Sequence, residues 1–551
     1  MWQKINKYEE KNYLRWNVFT MVGILMIVIC GIKVTHGLQR YMDVLFWDEA
    51  LYLSRGVQLF DQIPKTWGPS YSLWYKFLSL FISDRVELYY FNFSLTTILI
   101  CIAFFLLLLS SGVQRVLAFI LSIFFLSTFI NMPLWPRVSH FCVIVIIAGI
   151  IVSKYQKTLL ERLAVLSIAL LVCAYARPEM FLSFRLFFGF TLLFFFINIR
   201  QLRKREWLLT MGLFAFVAFI VYFFKTPFNN GDTGRGLRVF LQHFAWNYTE
   251  WNHLQNVFWL DFPDIIQQHF KDASSLPAII RSNPEAFEHH IVSNIANYAI
   301  QMSKIVFSFF APVFTKDVHW LCLMVSAMLF IVYFSFTKTS KDKRKRFKAL
   351  AGDNMVTLTV LFLFAVPSVM ASIYAYPRQH YLLLQVPVLL LLTGLAISSV
   401  SVEIEKSLQK ITVVGTIWFF VTPEAEDFTY FNLFRREESL CNLKTVRFIK
   451  NNFTTKDSVR VFDAEGYMTN LLPSNFTNYN EVYYRNRNIV LSDFLKAHDF
   501  DIIYKTPTLT MLNNVQKDTA LFNFLKNPEQ YGYYEQKTGN FTPVLLLKKK
   551  E

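Results

Sequence analysis

A stretch of about 20 mostly apolar residues is long enough to cross a bilayer as a helix, and this chain repeats such stretches along most of its length. They predict spanning helices near 16–36, 91–110, 116–132, 138–153, 163–176, 180–199, 207–224, 319–337, 354–374, 380–400 and 410–422. Of the 551 residues, 54% are hydrophobic and 17% are charged, against about 25% charged in soluble proteins. We therefore expect a polytopic α-helical membrane protein with about eleven transmembrane helices. The composition excludes a soluble enzyme, a disordered chain and a fibre.

The lysines and arginines between these segments collect in every second loop, which the positive-inside rule assigns to the cytoplasm. The four dense basic clusters are 4–15, 154–162, 200–205 and 338–348. They predict a cytoplasmic N-terminus and place two long polar loops, 37–90 and 225–318, outside. The formal net charge of +16 therefore reflects orientation in the inner (plasma) membrane, and no nucleic-acid partner is expected.

Residues 289–314 are apolar enough to resemble a further span, but they carry His289, His290 and Lys304. If they crossed the membrane, the basic cluster at 338–348 would lie on the outside. We expect them to form an amphipathic helix in the outer membrane interface instead.

The transmembrane region, residues 1–425, is followed by a polar segment, 430–551, of different character. Strand-like stretches occur at 458–463, 500–504 and 543–547, and helical stretches occur near 437–452, 491–498 and 519–526. Alternation of this kind predicts a small α/β domain. The eleventh span would place that domain on the extracytoplasmic side.

The unusual charged residues cluster at the predicted outer ends of the helices. They are Asp48, Glu49, Arg137, Arg177, Glu179, Arg378 and His380. Transporters and pumps place ionisable groups near the middle of the bilayer, where such groups are expensive and functional. Carboxylates and arginines that converge on one membrane face indicate a binding or catalytic site at that face.

Four segments carry a resemblance to a known family. They are Phe-Trp-Asp-Glu-Ala-Leu-Tyr at 46–52, Gly-Pro-Ser-Tyr-Ser-Leu-Trp-Tyr at 68–75, Tyr-Ala-Arg-Pro-Glu at 175–179 and Tyr-Pro-Arg-Gln-His-Tyr-Leu at 376–382. In this order, over roughly residues 10–400, the chain resembles the GT-C membrane glycosyltransferases of the protein O-mannosyltransferase and aminoarabinose-transferase type. The resemblance implies a GT-C-like fold and transfer of a sugar, with inversion, from a polyprenyl-phosphate donor.

Transfer from a lipid-phosphate sugar requires a base for the acceptor hydroxyl and cations for the departing phosphate. We expect Asp48 to be the base, with Glu49 as the second catalytic carboxylate or the partner of an arginine. Arginine presents a fixed fork of donors that matches phosphate oxygens. The candidates for the donor phosphate are Arg378, Arg137 and Arg177.

Further residues are expected to contact substrate, through hydrogen bonds or by stacking on the sugar or the prenyl chain. They are His380, Tyr381, Tyr52, Trp67, Glu179 and His140, the last standing where many members of the family carry Asp. No metal-ligand set and no nucleotide-binding pattern is evident, so no cofactor is assigned; a divalent metal stays open as a second means of neutralising the phosphate. The expected partners are the lipid-linked donor, membrane lipids and a glycolipid, glycan or protein acceptor.

Other classes remain open at this point. A flippase for lipid-linked sugars would share the topology but should carry charges within its spans. A non-catalytic assembly or sensor protein of the cell envelope would share the fold without needing Asp48. Among enzymes, a ligase or polymerase would use a lipid-diphosphate donor instead. The sequence names neither the sugar nor the acceptor.

Overall fold

The computed structural model describes residues 17–59, 68–132, 134–227, 235–254, 258–271, 273–308, 324, 327–331, 333–334, 337–403, 408–421, 424–425, 440–453, 456–463, 467–479, 498–505, 509, 519–538 and 544–549. Within these residues the chain is mostly helical. The α-helices of these residues are α1 (Val18–Thr35), α2 (Asp48–Val57), α3 (Pro69–Ser79), α4 (Arg85–Ser110), α5 (Arg115–Leu126), α6 (Val138–Lys154), α7 (Leu159–Ala176), α8 (Met180–Asn198), α9 (Lys204–Phe224), α10 (Arg235–Trp251), α11 (Phe258–Phe270), α12 (Leu276–Ser282), α13 (Pro284–Ser308), α14 (Lys343–Asp353), α15 (Met355–Tyr374), α16 (Gln379–Leu382), α17 (Val386–Val400), α18 (Leu408–Val421), α19 (Cys441–Phe453) and α20 (Thr519–Lys526).

Seven helical segments of the described chain are long and apolar enough to cross a membrane. They are Val18–Arg40, Arg85–Ser110, Leu159–Ala176, Met180–Gln201, Lys204–Phe224, Met355–Tyr374 and Gln379–Val400. Each coincides with a span predicted from the sequence. These lengths and compositions are those of a multi-pass membrane protein.

Three other predicted spans form shorter apolar helices: Arg115–Leu126, Val138–Lys154 and Lys410–Phe420. The first of them, α5, has every residue from Val116 to Leu126 buried. A helix enclosed by protein on all sides does not need to match the bilayer thickness, which accounts for its shortness. The predicted span at 319–337 lies largely outside the described residues, so the number of about eleven spans stays a prediction.

The segment expected to be amphipathic, 289–314, is a helix as far as the structure describes it. It is the end of α13, and α13 is not among the segments apolar enough to cross a membrane. Its exposed positions include Val292, Ile295 and Phe307, which leave an apolar stripe uncovered by the rest of the protein. The stripe agrees with an amphipathic helix; its location in the membrane interface remains a prediction.

Local sequence explains where several helices begin and where one of them lacks a backbone hydrogen bond. At the start of α7, Thr158 accepts a hydrogen bond from the backbone N–H of Glu161, whose side chain accepts the backbone N–H of Thr158 in return. Proline is the first residue of α3 and of α13, where its missing N–H costs nothing. Pro367 lies inside α15, where it removes a backbone hydrogen bond.

The chain forms two compact units. The first unit contains Met1–Thr35, Pro64–Tyr71 and Ser94–Glu424. The second contains His36–Ile63, Ser72–Phe93 and Ala425–Glu551. Most of the predicted outer loop 37–90 therefore belongs to the same unit as the C-terminal residues.

The second unit contains the sheet that the C-terminal pattern predicts. Its strands are β3 (Val459–Asp463), β4 (Phe476–Tyr479), β5 (Ile502–Lys505), β6 (Tyr533–Gln536) and β7 (Val544–Lys548), in the order β4-β3-β5-β7-β6. β3 pairs in parallel with β4 and β5, and β7 pairs antiparallel with β5 and β6. In the first unit, β1 (Thr337–Thr339) and β2 (Ser401–Glu403) form a short antiparallel pair.

The three predicted strands correspond to β3, β5 and β7, whose apolar runs are largely buried. β4 and β6 were not predicted because they are short, polar and partly exposed. The predicted helices near 437–452 and 519–526 are α19 and α20. The predicted helix at 491–498 lies outside the described residues except for His498.

Candidate functional site

The paired carboxylates stand at the start of α2 in the second unit. Asp48 is the first residue of that helix and Glu49 is the second, so both lie at its positive end. Adjacent helical residues point about 100° apart, and the structure separates the two accordingly. Asp48 is exposed, whereas Glu49 is only 2% exposed. Tyr52, one turn after Asp48, is buried as well.

Glu49 is held in a group of buried polar side chains. The hydroxyl of Tyr75 donates to Oε1 of Glu49 at 2.5 Å, and Nδ2 of Asn92 donates to the same oxygen at 3.1 Å. Nε1 of Trp74 in turn donates to Oδ1 of Asn92 at 2.8 Å. The carboxylate therefore has neutral donors from α3 and α4, which fix its orientation inside the unit.

Gly56 allows α2 and α3 to approach closely enough for this arrangement. A Cβ at position 56 would stand 2.6 Å from the backbone oxygen of Ser72 and 2.5 Å from Cβ of Tyr75. Both distances are too short for any side chain, so only glycine permits the contact that brings Tyr75 to Glu49.

A third carboxylate, Asp43, anchors the segment that leads to Asp48. Its oxygens accept the backbone N–H groups of Asn442 and Leu443, at 2.9 and 2.7 Å, at the start of α19. They also accept the N–H of Val44 at 2.9 Å. Burial raises the pKa of Asp43 to about 6, and these N–H donors oppose the rise. Sequence reasoning did not select Asp43, and its role is to hold the chain that precedes α2.

The basic candidates lie in the first unit, where Arg177 joins several of them. Nε of Arg177 donates to Oε1 of Glu179 at 2.6 Å, and Nη1 donates to Oγ of Ser139 and, at 3.4 Å, to the carbonyl of His380. The guanidinium lies over the ring of Tyr381, with its carbon 4.9 Å from the ring centroid. Four residues selected from the sequence are thus brought together: Arg177, Glu179, His380 and Tyr381.

Arg378 stands at the cap of α16, immediately after Pro377. Its guanidinium carbon is 5.3 Å from the ring centroid of Trp246 on α10. The ring of Trp246 stacks on that of Tyr376, with centroids 5.1 Å apart and an interplanar angle of 12°. Arg177 donates to the carbonyl of His380, which follows Arg378 by two residues. This arginine-aromatic group (Arg177, Arg378, His380, Tyr381, Trp246, Tyr376) combines two cations with planar apolar surfaces.

His243, one turn before Trp246 on α10, lies beside the arginine-aromatic group. Its ring centroid is 6.3 Å from that of Trp246 and 6.2 Å from that of Tyr376, with all three rings nearly parallel. Nδ1 of His243 lies 2.6 Å from the carbonyl oxygen of Val239. Burial and then the charge of Arg378 lower the pKa of His243 to about 3. The imidazole is therefore neutral at physiological pH.

A buried polar network holds α10 and α13 in place. Nδ2 of Asn247 donates to Oδ1 of Asn294 at 2.9 Å and to Nδ1 of His290 at 3.0 Å. Asn294 donates to the carbonyl of Ala375 at 2.9 Å, and Nε2 of His290 donates to the carbonyl of Tyr374 at 3.2 Å. These bonds connect both helices to the end of α15, directly before Tyr376 and Arg378. They therefore fix the position of α10 relative to that segment.

Arg137 and His140 lie in the interior of the first unit. Arg137 has no exposed surface; it donates to the hydroxyls of Thr96 and Thr97 at 3.0 and 2.6 Å and to the carbonyl of Asn131 at 2.8 Å. His140 is equally buried, with Nε2 3.2 Å from Oδ1 of Asn131. Since the guanidinium of Arg137 is directed at acceptors within the chain, its evident contribution is to brace α4 against the segment before α6.

Trp67 lies outside the described residues. Within the described part of the chain, no group of three or more His, Cys, Asp or Glu side chains is arranged to hold a metal ion.

Sequence reasoning missed His243 and Trp246, and it quoted Tyr376 within a motif without assigning it a role. The available signal was the spacing of His243 and Trp246, three residues apart and therefore on one helix face within a predicted outer loop. That spacing is common in ordinary amphipathic helices, so the tertiary contact with Arg378 was needed to distinguish it. No protein-family model matches the chain, and no curated protein matches it.

Proposed function

We propose that the protein is an integral-membrane glycosyltransferase that moves a sugar from a polyprenyl-phosphate donor to a lipid, glycan or protein acceptor at the outer face of the membrane. The observation that carries the proposal is the arginine-aromatic group of the first unit. Two guanidinium groups beside stacked rings suit a phosphate attached to a sugar, because the cations match the phosphate and the rings match the face of the sugar. The resemblance of four segments to the GT-C family supports the same conclusion.

The proposal assigns separate tasks to the candidates. Arg378 holds the phosphate and stabilises the charge that develops on it as the glycosidic bond breaks. Arg177, whose donors contact Glu179, Ser139 and the carbonyl of His380, adds its positive charge to the same site. Asp48 removes the proton of the acceptor hydroxyl, whose oxygen attacks the anomeric carbon with inversion. Asp48 suits this task better than Glu49, because its side chain is exposed whereas that of Glu49 already accepts two hydrogen bonds inside the second unit.

The remaining candidates support these tasks. Glu179 orients Arg177 through their ion pair, and Tyr381 carries the guanidinium on its ring face. Arg137 acts as a positioning residue in this scheme, because its donors are directed at the protein itself. The protein would reside in the inner (plasma) membrane with its N-terminus in the cytoplasm, as the basic loops indicate.

The test is transfer activity of the purified protein in detergent. Radiolabelled polyprenyl-phosphate sugars are offered as a panel together with a membrane glycolipid extract, and wild type is compared with Asp48→Asn and Arg378→Gln. The controls are Asp457→Asn and Arg238→Gln, which change exposed residues of the same types. We expect label in a new product with wild type and both controls, and at least a roughly 100-fold loss with Asp48→Asn, as removal of a general base produces.

The other outcomes separate the alternatives. Full activity of Asp48→Asn would still show that the protein is a transferase, but Asp48 would not be its general base. Transfer only from lipid-diphosphate sugars would indicate a ligase or polymerase. No transfer by folded wild type from either donor type would contradict the proposal and favour a flippase or an assembly protein.

A further inference from the structure

The protonation of His243 follows from its hydrogen bond. Nδ1 of the ring lies 2.6 Å from the carbonyl oxygen of Val239, and a carbonyl oxygen can only accept. Nδ1 therefore carries the proton of the neutral imidazole. Nε2 is left with a lone pair and can only accept a hydrogen bond.

That lone pair is buried without a partner. His243 is 4% exposed, and Nε2 has no hydrogen-bond partner among the described residues. An unsatisfied polar atom in the interior costs free energy, so buried acceptors in folded proteins nearly always have a donor. The position therefore suits a donor that the described residues do not supply, such as a group of a bound ligand.

The surroundings of Nε2 limit what that donor can be. A phosphate at physiological pH presents oxygens that accept, so a phosphate held by Arg378 cannot satisfy a second acceptor. The rings of His243, Trp246 and Tyr376 are nearly parallel, and aromatic rings of this kind pack well against the flat face of a sugar. A sugar attached to that phosphate offers both features, since its hydroxyls donate and its ring has a flat apolar face.

We infer that Nε2 of His243 accepts a hydrogen bond from a hydroxyl of the donor sugar whose phosphate Arg378 holds. The inference rests on the proposed function and adds a residue that selects the sugar, distinct from those that hold the phosphate. His243 thereby lets the site distinguish a glycosylated lipid phosphate from the bare lipid phosphate that remains after transfer.

The experiment compares two ligands on the same purified protein in detergent. One is undecaprenyl phosphate, and the other is undecaprenyl phosphate bearing one glucose, mannose, galactose or arabinose unit, with each sugar assayed separately. The dissociation constants are measured for wild type, His243→Asn, His243→Gln and Arg378→Gln. His289→Asn, which changes an exposed histidine on α13, is the matched control.

The two substitutions of His243 test its two ring nitrogens separately. Asparagine places an amide N–H near the position of Nδ1 and keeps the bond to Val239 but has no group at Nε2, whereas glutamine places an amide oxygen near Nε2. We expect wild type to prefer one glycosylated lipid, and His243→Asn to weaken its binding about 3- to 10-fold, as loss of one hydrogen bond would. Binding of undecaprenyl phosphate should stay within about twofold, which also reports that the variant is folded. His243→Gln should restore part of the preference, and Arg378→Gln should weaken both ligands.

Each remaining result overturns the inference in a recognisable way. If His243→Asn binds both ligands like wild type, or if it weakens the binding of both equally, Nε2 does not contact the sugar. The proposed function is then judged by the transfer assay alone. If wild type has no preference for any glycosylated lipid and transfers no sugar, the proposed function and the inference fail together.

Discussion

Two polar groups of this protein, one in each compact unit, differ in whether the described residues satisfy all of their buried hydrogen-bonding atoms. Around Glu49 in the second unit, the carboxylate, the phenol of Tyr75 and the amide of Asn92 satisfy one another. Near Arg378 in the first unit, the ring of His243 is nearly parallel to those of Trp246 and Tyr376, and its Nε2 has no partner among the described residues. The donors and acceptors around Glu49 hold one another in place, whereas Nε2 of His243 is available for the hydrogen bond inferred above.

Arg137 belongs with the complete groups, although it was selected from the sequence together with Arg378. Among the described residues, it donates to the hydroxyls of Thr96 and Thr97 and to the carbonyls of Asn131 and Leu134. Arg378 instead lies half-buried against Trp246. The two arginines have the same chemistry, and their surroundings distinguish the structural role of Arg137 from the phosphate-binding role that we propose for Arg378.

The largest effect is expected from Arg137→Met. The substitution removes the donors of four buried acceptors at once, and we expect the free energy of unfolding to fall by about 4 kcal/mol. Chemical unfolding in detergent micelles measures the loss, with Arg200→Met, at an exposed position, as the control. If Arg137→Met were as stable as wild type but lost affinity for undecaprenyl phosphate, Arg137 would contact the ligand and would not have the structural role assigned to it here.

Replacement of Glu49 should give a smaller loss that depends on the substituent. Glu49→Ala leaves the hydroxyl of Tyr75 and the amide of Asn92 without an acceptor, and we expect a loss of about 2 to 3 kcal/mol. Glu49→Gln keeps an acceptor oxygen and should lose less than about 1 kcal/mol. Unfolding of both variants in the same micelles measures the difference. A large loss of sugar transfer in Glu49→Gln, with its stability kept, would show that the charge is used in catalysis.

The smallest effect concerns pH and His243. Its pKa is lowered to about 3, below the ordinary value near 6.5, so the unfolded chain binds the proton more readily than the folded one. Stability is therefore lost as pH falls from about 6.5 towards 3, and we expect a contribution of about 2 kcal/mol between pH 7 and pH 4.5.

The measurement is the thermal midpoint across this pH range for wild type and His243→Asn. His290, whose pKa is lowered to about 4, contributes in the same direction and stays in both proteins. The advantage of wild type should therefore shrink as the solution is acidified. If the two curves run parallel, His243 is not a buried neutral histidine, and the contrast with the Glu49 group disappears.

The sequence predicted the helical architecture well because each apolar segment carries its own signal. Segments such as α4 and α15 are recognisable from length and composition, without knowledge of their neighbours. The strands β3, β5 and β7 were recognisable in the same way, from short runs of buried apolar residues. β4 and β6 were not, because pairing with β3 and β7 determines them more than their own composition does.

The same distinction between local and long-range information applies to the candidate site. The sequence by itself determined which residue types lie at the ends of the apolar segments, because hydrophobicity and helical period are local properties. Only the tertiary structure decided that Asp48 is exposed and Glu49 is buried. It also decided that the donors of Arg137 bond to its own chain, and that Trp246 contacts Arg378 across more than 130 residues of sequence. Burial and partner choice depend on the long-range packing of helices, and no single stretch of sequence encodes that packing.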